Sequence, residues 1–157
     1  MKPETPNESV TNEVKAKVFA QYLGCKTAGI FENDFILKGV FQSAYEDNDF
    51  IAAIGSKEVF IEQHEVYVED LKLILKPLSS ITDEDAIEVA KILKPNDEHT
   101  HNSEYGKMYV KQLFDGVMHT AMKYFSLYQF LQSKGYDLPN YHLNGLTLKE
   151  AGLCIYE

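Results

Sequence analysis

The sequence predicts an α+β fold, with an N-terminal helix and a small antiparallel β-sheet followed by a helical C-terminal part with one long core helix. Apolar residues recur every three or four positions within residues 14–23, 81–94 and 104–134, as they do on one face of an α-helix. Between residues 25 and 78 the pattern changes to short runs of β-branched and aromatic residues, which turn residues separate.

Length and composition are those of one globular domain. The chain has 157 residues, of which 45% are hydrophobic and 25% are charged. We expect residues 1–9 to form a flexible tail and residues 10–157 to form a single α+β domain. Its β-rich lobe covers about residues 25–78, and its helical lobe covers about residues 79–157.

The first helix is predicted from a single apolar stripe. Its members follow one another at helical spacing: Val14, Val18, Phe19, Tyr22 and Leu23. Gly24 comes next, at the position where a residue in the left-handed conformation commonly ends a helix.

Four to six strands are predicted in the β-rich lobe. "TAGIF" and "FILKGVF" flank the turn "END" and are typical of a hairpin. The further candidates are "FIAAIG", "EVFIE", "HEVYVED" and "LKLILKPL". Pro77 ends the last of these runs, because proline has no N–H to donate to a central strand ladder.

The clearest helix is predicted from "SITDEDAIEVAKILKP". Thr82 and Asp85 have the spacing of a capping box, and the acidic first turn suits the positive end of the helix dipole. Lys91 and Lys94 lie near the negative end, and Pro95 terminates the helix.

The long core helix is predicted over residues 104–134, where apolar residues keep helical spacing for more than six turns. Gly116 lies inside the stripe, so the predicted helix could be kinked at this residue or split into two helices. Around residues 117–131 the apolar positions cover most of the circumference, which is typical of a central core helix or of an oligomer interface. Both interpretations stay open.

The C-terminal segment is predicted to be docked rather than frayed. Asn144-Gly145 is a tight-turn dipeptide, and Thr147 with Glu150 forms a capping box for one helical turn that Gly152 closes. The apolar ending "LCIYE" favours packing onto the domain.

Charge excludes some classes of function. The net charge is −9, all 15 basic residues are lysine, and arginine is absent. Direct nucleic-acid binding needs a positive surface and favours arginine, so we do not expect it. The acidic residues are spread evenly along the chain, which is typical of a surface that keeps a protein soluble. An acidic mimic of nucleic acid is the alternative interpretation. No secretory signal or membrane span is evident. Cys25 and Cys154 are expected to be reduced and buried, although a disulfide stays open.

The segment "KPNDEHTHNSEYG", residues 94–106, most invites a chemical interpretation. In an extended segment, residues two apart point to the same side, so His99 and His101 could share a metal ion. Asp97, Glu98 or Glu104, or more distantly His119, would supply a third ligand. The spacing matches no zinc signature. The alternative interpretation is a polar connector between two helices, and we predict no cofactor and no catalytic residue.

A partner surface is predicted at Tyr105 and Tyr109, which lie one helical turn apart at the polar end of the long helix. Aromatic residues of this kind often anchor protein interfaces.

Three stretches resemble a family of small uncharacterised proteins encoded in phages and prophages of anaerobic gut bacteria. They are "VKAKVFAQYLGC" (14–25), "LKLILKPLSSITDEDAIEVAKIL" (71–93) and "YQFLQSKGYDLP" (128–139). The family has no established activity, so the resemblance implies no catalytic residues. It implies a cytoplasmic protein of a mobile element that acts inside its bacterial host.

The leading hypothesis is a non-catalytic phage or prophage accessory protein that binds an unidentified host or phage protein. Self-association through the long helix is a further expectation. The alternatives are an acidic nucleic-acid mimic that inhibits a host DNA-acting enzyme, and a small metal-dependent enzyme that uses His99 and His101.

Overall fold

The computed structural model describes residues 10–28, 35–45, 49–56, 63–114 and 122–157. These residues form four α-helices and seven β-strands, so the chain is α+β as predicted. The elements are α1 Asn12–Phe19, β1 Thr27–Ala28, β2 Ile36–Gln42, β3 Phe50–Gly55, β4 Gln63–Tyr67, β5 Lys72–Pro77, α2 Asp83–Leu93, α3 Ser103–Phe114, α4 Met122–Ser133, β6 Tyr136–Asp137 and β7 Cys154–Tyr156. The predicted tail (1–9), the turn "END" (32–34) and the candidate strand "EVFIE" (58–62) lie outside the described residues.

The chain divides into two compact units, each with its own hydrophobic core. One unit consists of the residues up to 75 together with residues 139–157, and the other consists of residues 76–138. The sequence predicted a single domain with the C-terminal segment in its helical lobe. In the structure this segment belongs instead to the unit that contains the three-stranded sheet, because its apolar residues complete that core.

Helix α1 opens the first unit. The Thr11 hydroxyl accepts a hydrogen bond from the backbone N–H of Val14 and so caps the helix N-terminus. The helix continues into a 3-10 turn, and Gly24 follows with φ +90°, as predicted from its position. Phe19 and Tyr22 are buried in the core of this unit.

Strands β2, β3 and β4 form an antiparallel sheet in that order. Alternation along the strands places Leu37, Ala52 and Ile54 in the core. On the opposite face Phe41, Ile51 and Tyr67 stand directly opposite one another across the three strands.

The pairing around β5 corrects the prediction of a purely antiparallel sheet. Strand β1 is antiparallel to β5, but β7 pairs with β5 in parallel, with Leu73 opposite Cys154. Within the second unit, Lys76 and Pro77 pair in parallel with β6. Parallel pairing needs a long connection between the strands. The local pattern of a three-residue or two-residue strand does not reveal which distant strand it joins.

The C-terminal segment of the first unit is held by the hydrogen bonds predicted for it. Asn144 and Gly145 both have positive φ, 56° and 84°, in a tight turn. The Glu150 carboxylate accepts from the backbone N–H and the hydroxyl of Thr147, at 3.0 and 2.9 Å, and the N–H of Glu150 donates to the Thr147 hydroxyl. This reciprocal pair is the predicted capping box.

The second unit is organised around α2, which contacts both α3 and α4. Helices α2 and α3 approach so closely that a Cβ atom at Gly106 would overlap the backbone carbonyl group of Ala86. Only glycine fits at this position, because it has no side chain.

The one long core helix predicted over residues 104–134 is not confirmed. The described residues of this range form two helices, α3 and α4, and residues 115–121 between them lie outside the described part of the chain. An apolar stripe with helical period is equally compatible with two consecutive helices, so periodicity alone did not separate these arrangements.

The contact of Gly106 with Ala86 predicts a severe effect of Gly106→Ala. The added methyl group must force α3 away from α2, and we expect a loss of about 3 kcal/mol of unfolding free energy. Urea unfolding followed by circular dichroism measures it. Gly39→Ala is the control, because a Cβ atom there meets no atom within 4 Å. Equal stability of the two variants would contradict the close contact.

The capping box predicts a pH-dependent effect of Glu150→Gln. Hydrogen bonds from the backbone and hydroxyl of Thr147 lower the pKa of Glu150 below its ordinary value of 4.5. The ionised carboxylate therefore stabilises the fold above pH 4.5, and this contribution is lost as the pH falls through the lowered pKa. We expect a deficit of less than about 1 kcal/mol at neutral pH, because the site is exposed to water.

The deficit should disappear in acid, and thermal unfolding at a series of pH values measures it. Glu65→Gln, an exposed carboxylate on β4, is the matched control. A deficit of Glu150→Gln that stays constant down to pH 3 would contradict this assignment.

Candidate functional site

The polar loop between α2 and α3 is folded by its own backbone and side chains. Residues Glu98–Thr100 form a 3-10 turn, in which the Thr100 hydroxyl donates to the Asp97 carbonyl at 2.8 Å. His101 Nε2 lies 2.7 Å from the carbonyl oxygen of Lys94 at the end of α2. A carbonyl oxygen only accepts, so Nε2 carries the hydrogen and satisfies one of the orphan carbonyls of a helix C-terminus.

The structure does not bring the predicted metal ligands together. His99 is exposed within the 3-10 turn, and residues two apart in such a turn do not face the same side. Asp97 and Glu104 do not complete a site, because no group of three or more potential ligands is found among the described residues. His119 lies outside those residues. The loop is thus built as a helix-ending connector, with Thr100 buried beneath it.

The predicted partner residues lie on α3, where one of them reaches solvent. Tyr105 is 41% exposed, whereas Tyr109 is half-buried and packs against the core of the second unit. Their rings are 6.4 Å apart and tilted by 33°. Met108 is 42% exposed on the same side of the helix. Sequence reasoning missed Met108, although its position three residues after Tyr105 places it on the same face.

Tyr105, Met108, Tyr109 and Gln112 make up what we call the α3 face, and its orientation is set by several contacts. Asn102 caps the helix by accepting a hydrogen bond from the N–H of Tyr105 at 3.0 Å. On the opposite side Gly106 lies against Ala86. Lys107 forms an ion pair of 2.6 Å with Asp83 at the start of α2. The exposed apolar side chains of α3 therefore lie on a helix that is capped at its N-terminus and packed closely against α2.

A buried polar network at the start of α2 is a second arrangement that sequence reasoning only half predicted. Thr82 accepts from the N–H of Asp85, as expected for an N-cap. The reciprocal contact, from the Asp85 side chain to the N–H of Thr82, is made indirectly by Tyr136. Its hydroxyl donates to the Asp85 carboxylate at 2.7 Å and accepts from the N–H of Thr82 at 3.2 Å. Tyr136 is fully buried, so its hydroxyl is used to stabilise the helix end and does not face solvent.

Both cysteines are free and buried in the first unit. Cys154 pairs with Leu73 on one side of β5, while Cys25 precedes β1 on the other side of that strand. Because β5 lies between the two cysteines, their Cα atoms are about two interstrand distances apart. That separation is beyond the reach of a disulfide. The structure therefore settles the pairing that the sequence left open.

Acidic side chains of the described residues are interleaved with lysines. The ion pairs are Glu13–Lys17, Glu157–Lys26, Glu88–Lys91 and Asp83–Lys107. A nucleic-acid mimic needs an uninterrupted row of negative charge, and these pairs give that interpretation no support.

The described residues hold no buried polar side-chain atom without a hydrogen-bond partner. No protein-family model, curated protein or solved structure matches this chain. Throughout the described ranges, no helix combines the length and the apolar character needed to cross a bilayer. The α3 face is the best-defined candidate for a functional surface.

The network at α2 predicts the behaviour of Tyr136→Phe. Loss of the hydroxyl leaves the Asp85 carboxylate and the Thr82 N–H without their partner, so we expect a loss of about 1–3 kcal/mol at neutral pH. Chemical unfolding measures this loss. A stability equal to that of the unmodified chain would contradict a structural role of the hydroxyl.

The same variant should change the alkaline limb of the stability curve. Burial and the hydrogen bond to Asp85 raise the pKa of Tyr136 above its ordinary value of 10.0. The raised pKa contributes stability below pH 10, which is lost as the pH rises through the folded-state value. The stability of Tyr136→Phe should therefore fall less steeply above pH 10 than that of the unmodified chain.

Proposed function

We propose that this chain is a non-catalytic accessory protein that acts through protein contacts made by the α3 face, defined as Tyr105, Met108, Tyr109 and Gln112. The observation that supports the proposal is the exposure of Tyr105 and Met108 on a helix whose orientation is fixed by Gly106. Rigid aromatic side chains that remain outside the core are the residues that most often anchor protein interfaces.

The biological setting is proposed from the sequence resemblance of residues 14–25, 71–93 and 128–139 to phage and prophage proteins. In that setting the chain acts in the bacterial cytoplasm and binds a host or phage protein without a cofactor. Self-association through one helix over residues 104–134 would need residues 115–121 to join α3 to α4, and it stays a prediction.

Substitution of the α3 face should weaken partner binding without unfolding the chain. We expect Tyr105→Ala and Met108→Ala each to weaken binding at least about tenfold, the usual cost of removing an interface anchor. The measurement is affinity capture from lysates of an anaerobic gut bacterium, followed by titration of the captured protein in purified form.

The matched control is Tyr141→Ala, which removes an aromatic side chain that is 91% exposed in the first unit. This variant should bind as the unmodified chain does. A captured protein that binds Tyr105→Ala and the unmodified chain equally would contradict the proposal, and so would the absence of saturable binding.

A further inference from the structure

The α3 face forms a narrow, largely apolar stripe over residues 105–112, with Gln112 as its polar member. Met108, Tyr109 and Gln112 lie three, four and seven residues after Tyr105, which places all four on one side of the helix. Tyr105 and Met108 are the exposed apolar members, and Tyr109 and Gln112 are half-buried. This is the seam geometry that a second helix can pack against.

Opposite charges flank the stripe at its two ends. Glu104 and Lys111 are seven residues apart, so they lie on the same side of α3 within about 20° and are separated by about 10 Å along the axis. Both are exposed. Among the ion pairs of the described residues neither takes part in one, whereas Lys107 beside them is engaged by Asp83.

The position of these charges makes the stripe complementary to itself in one orientation. If two α3 helices pack antiparallel about a two-fold axis, Tyr105 of each lies in a layer with Met108 of the other. In that register each Glu104 faces Lys111 of the second copy, which forms two equivalent ion pairs. A parallel pairing would instead set Glu104 beside Tyr109 of the second copy and would form no charge pair.

We propose that the partner of the α3 face is a second copy of this chain, bound antiparallel with Tyr105 against Met108 and Glu104 against Lys111. The inference rests on the proposed function, since it assigns an occupant to the same surface. A two-fold interface of this kind is closed and yields a dimer rather than a filament. Helix α3 has only 12 residues, so the interface is smaller than that of a permanent dimer and the association is weak.

A charge-reversal cycle tests the pairing. Sedimentation velocity over a concentration series up to about 1 mM gives the dimer Kd of each variant. Glu104→Lys and Lys111→Glu each replace two attractive pairs by two repulsive ones and should raise Kd on the order of tenfold. The double variant restores attraction between copies and should return Kd to within about twofold of the unmodified value.

The cycle separates pairing between copies from effects within one chain. Glu104 and Lys111 of the same helix are too far apart to contact each other directly, so only pairing between copies explains rescue by the double variant. Reversal of the exposed pair Glu88 and Lys91 on α2 is the control and should leave Kd unchanged. Circular dichroism of every variant verifies that α3 remains folded.

The outcomes distinguish this inference from the proposed function. Dimerisation with rescue by the double variant supports both. A chain that stays monomeric at all concentrations overturns the inference, as does a double variant that dimerises no better than the single ones. If such a monomer still binds another protein in a manner that depends on Tyr105, the proposed function stands without the second copy.

Discussion

The contact between Gly106 and the backbone of Ala86 is the constraint on which the second unit depends. With no side chain at position 106, α3 lies against α2 at backbone distance. Such proximity limits the rotation of α3, because a rotation would replace Gly106 at this contact by a residue that has a side chain. Tyr105 and Met108 therefore stay on the far side of α3 in water, although burial of their apolar area would be favourable. Their exposure is a consequence of helix packing.

Helix α2, against which α3 lies, is itself held at both ends by polar groups. At its N-terminus the hydroxyl of Tyr136 joins Thr82 to Asp85, and at its C-terminus the ring of His101 donates to the carbonyl of Lys94. Both arrangements satisfy backbone groups that a helix leaves without partners, namely N–H groups at its N-terminus and carbonyls at its C-terminus. His101, which suggests metal chemistry in the sequence, is thus explained by helix termination.

Local features of this fold could be predicted from the sequence, and distant pairings could not. The capping box of Thr147 with Glu150 and the left-handed Gly24 depend on residues at most a few positions apart, so their pattern is visible in one dimension. Tyr136 lies 51 residues from Asp85, and nothing in the local sequence of either residue indicates the other. The face of α3 was predicted at Tyr105, but the half-burial of Tyr109 depends on the position of the surrounding core.

Net charge limits how such a chain can associate. Each molecule carries −9, so two copies repel each other at distances beyond direct contact. Salt at physiological strength screens this repulsion over about 8 Å, whereas ion pairs at contact distance are screened less. In the proposed dimer, the apolar contacts of Tyr105 in one copy with Met108 in the other would not weaken when salt is added. A surface made only of acids would repel its own copy, whereas in the proposed pairing Glu104 and Lys111 at the two ends of the α3 face would attract theirs. The lysines interspersed among the acids would thereby decide which faces of this acidic protein could pair.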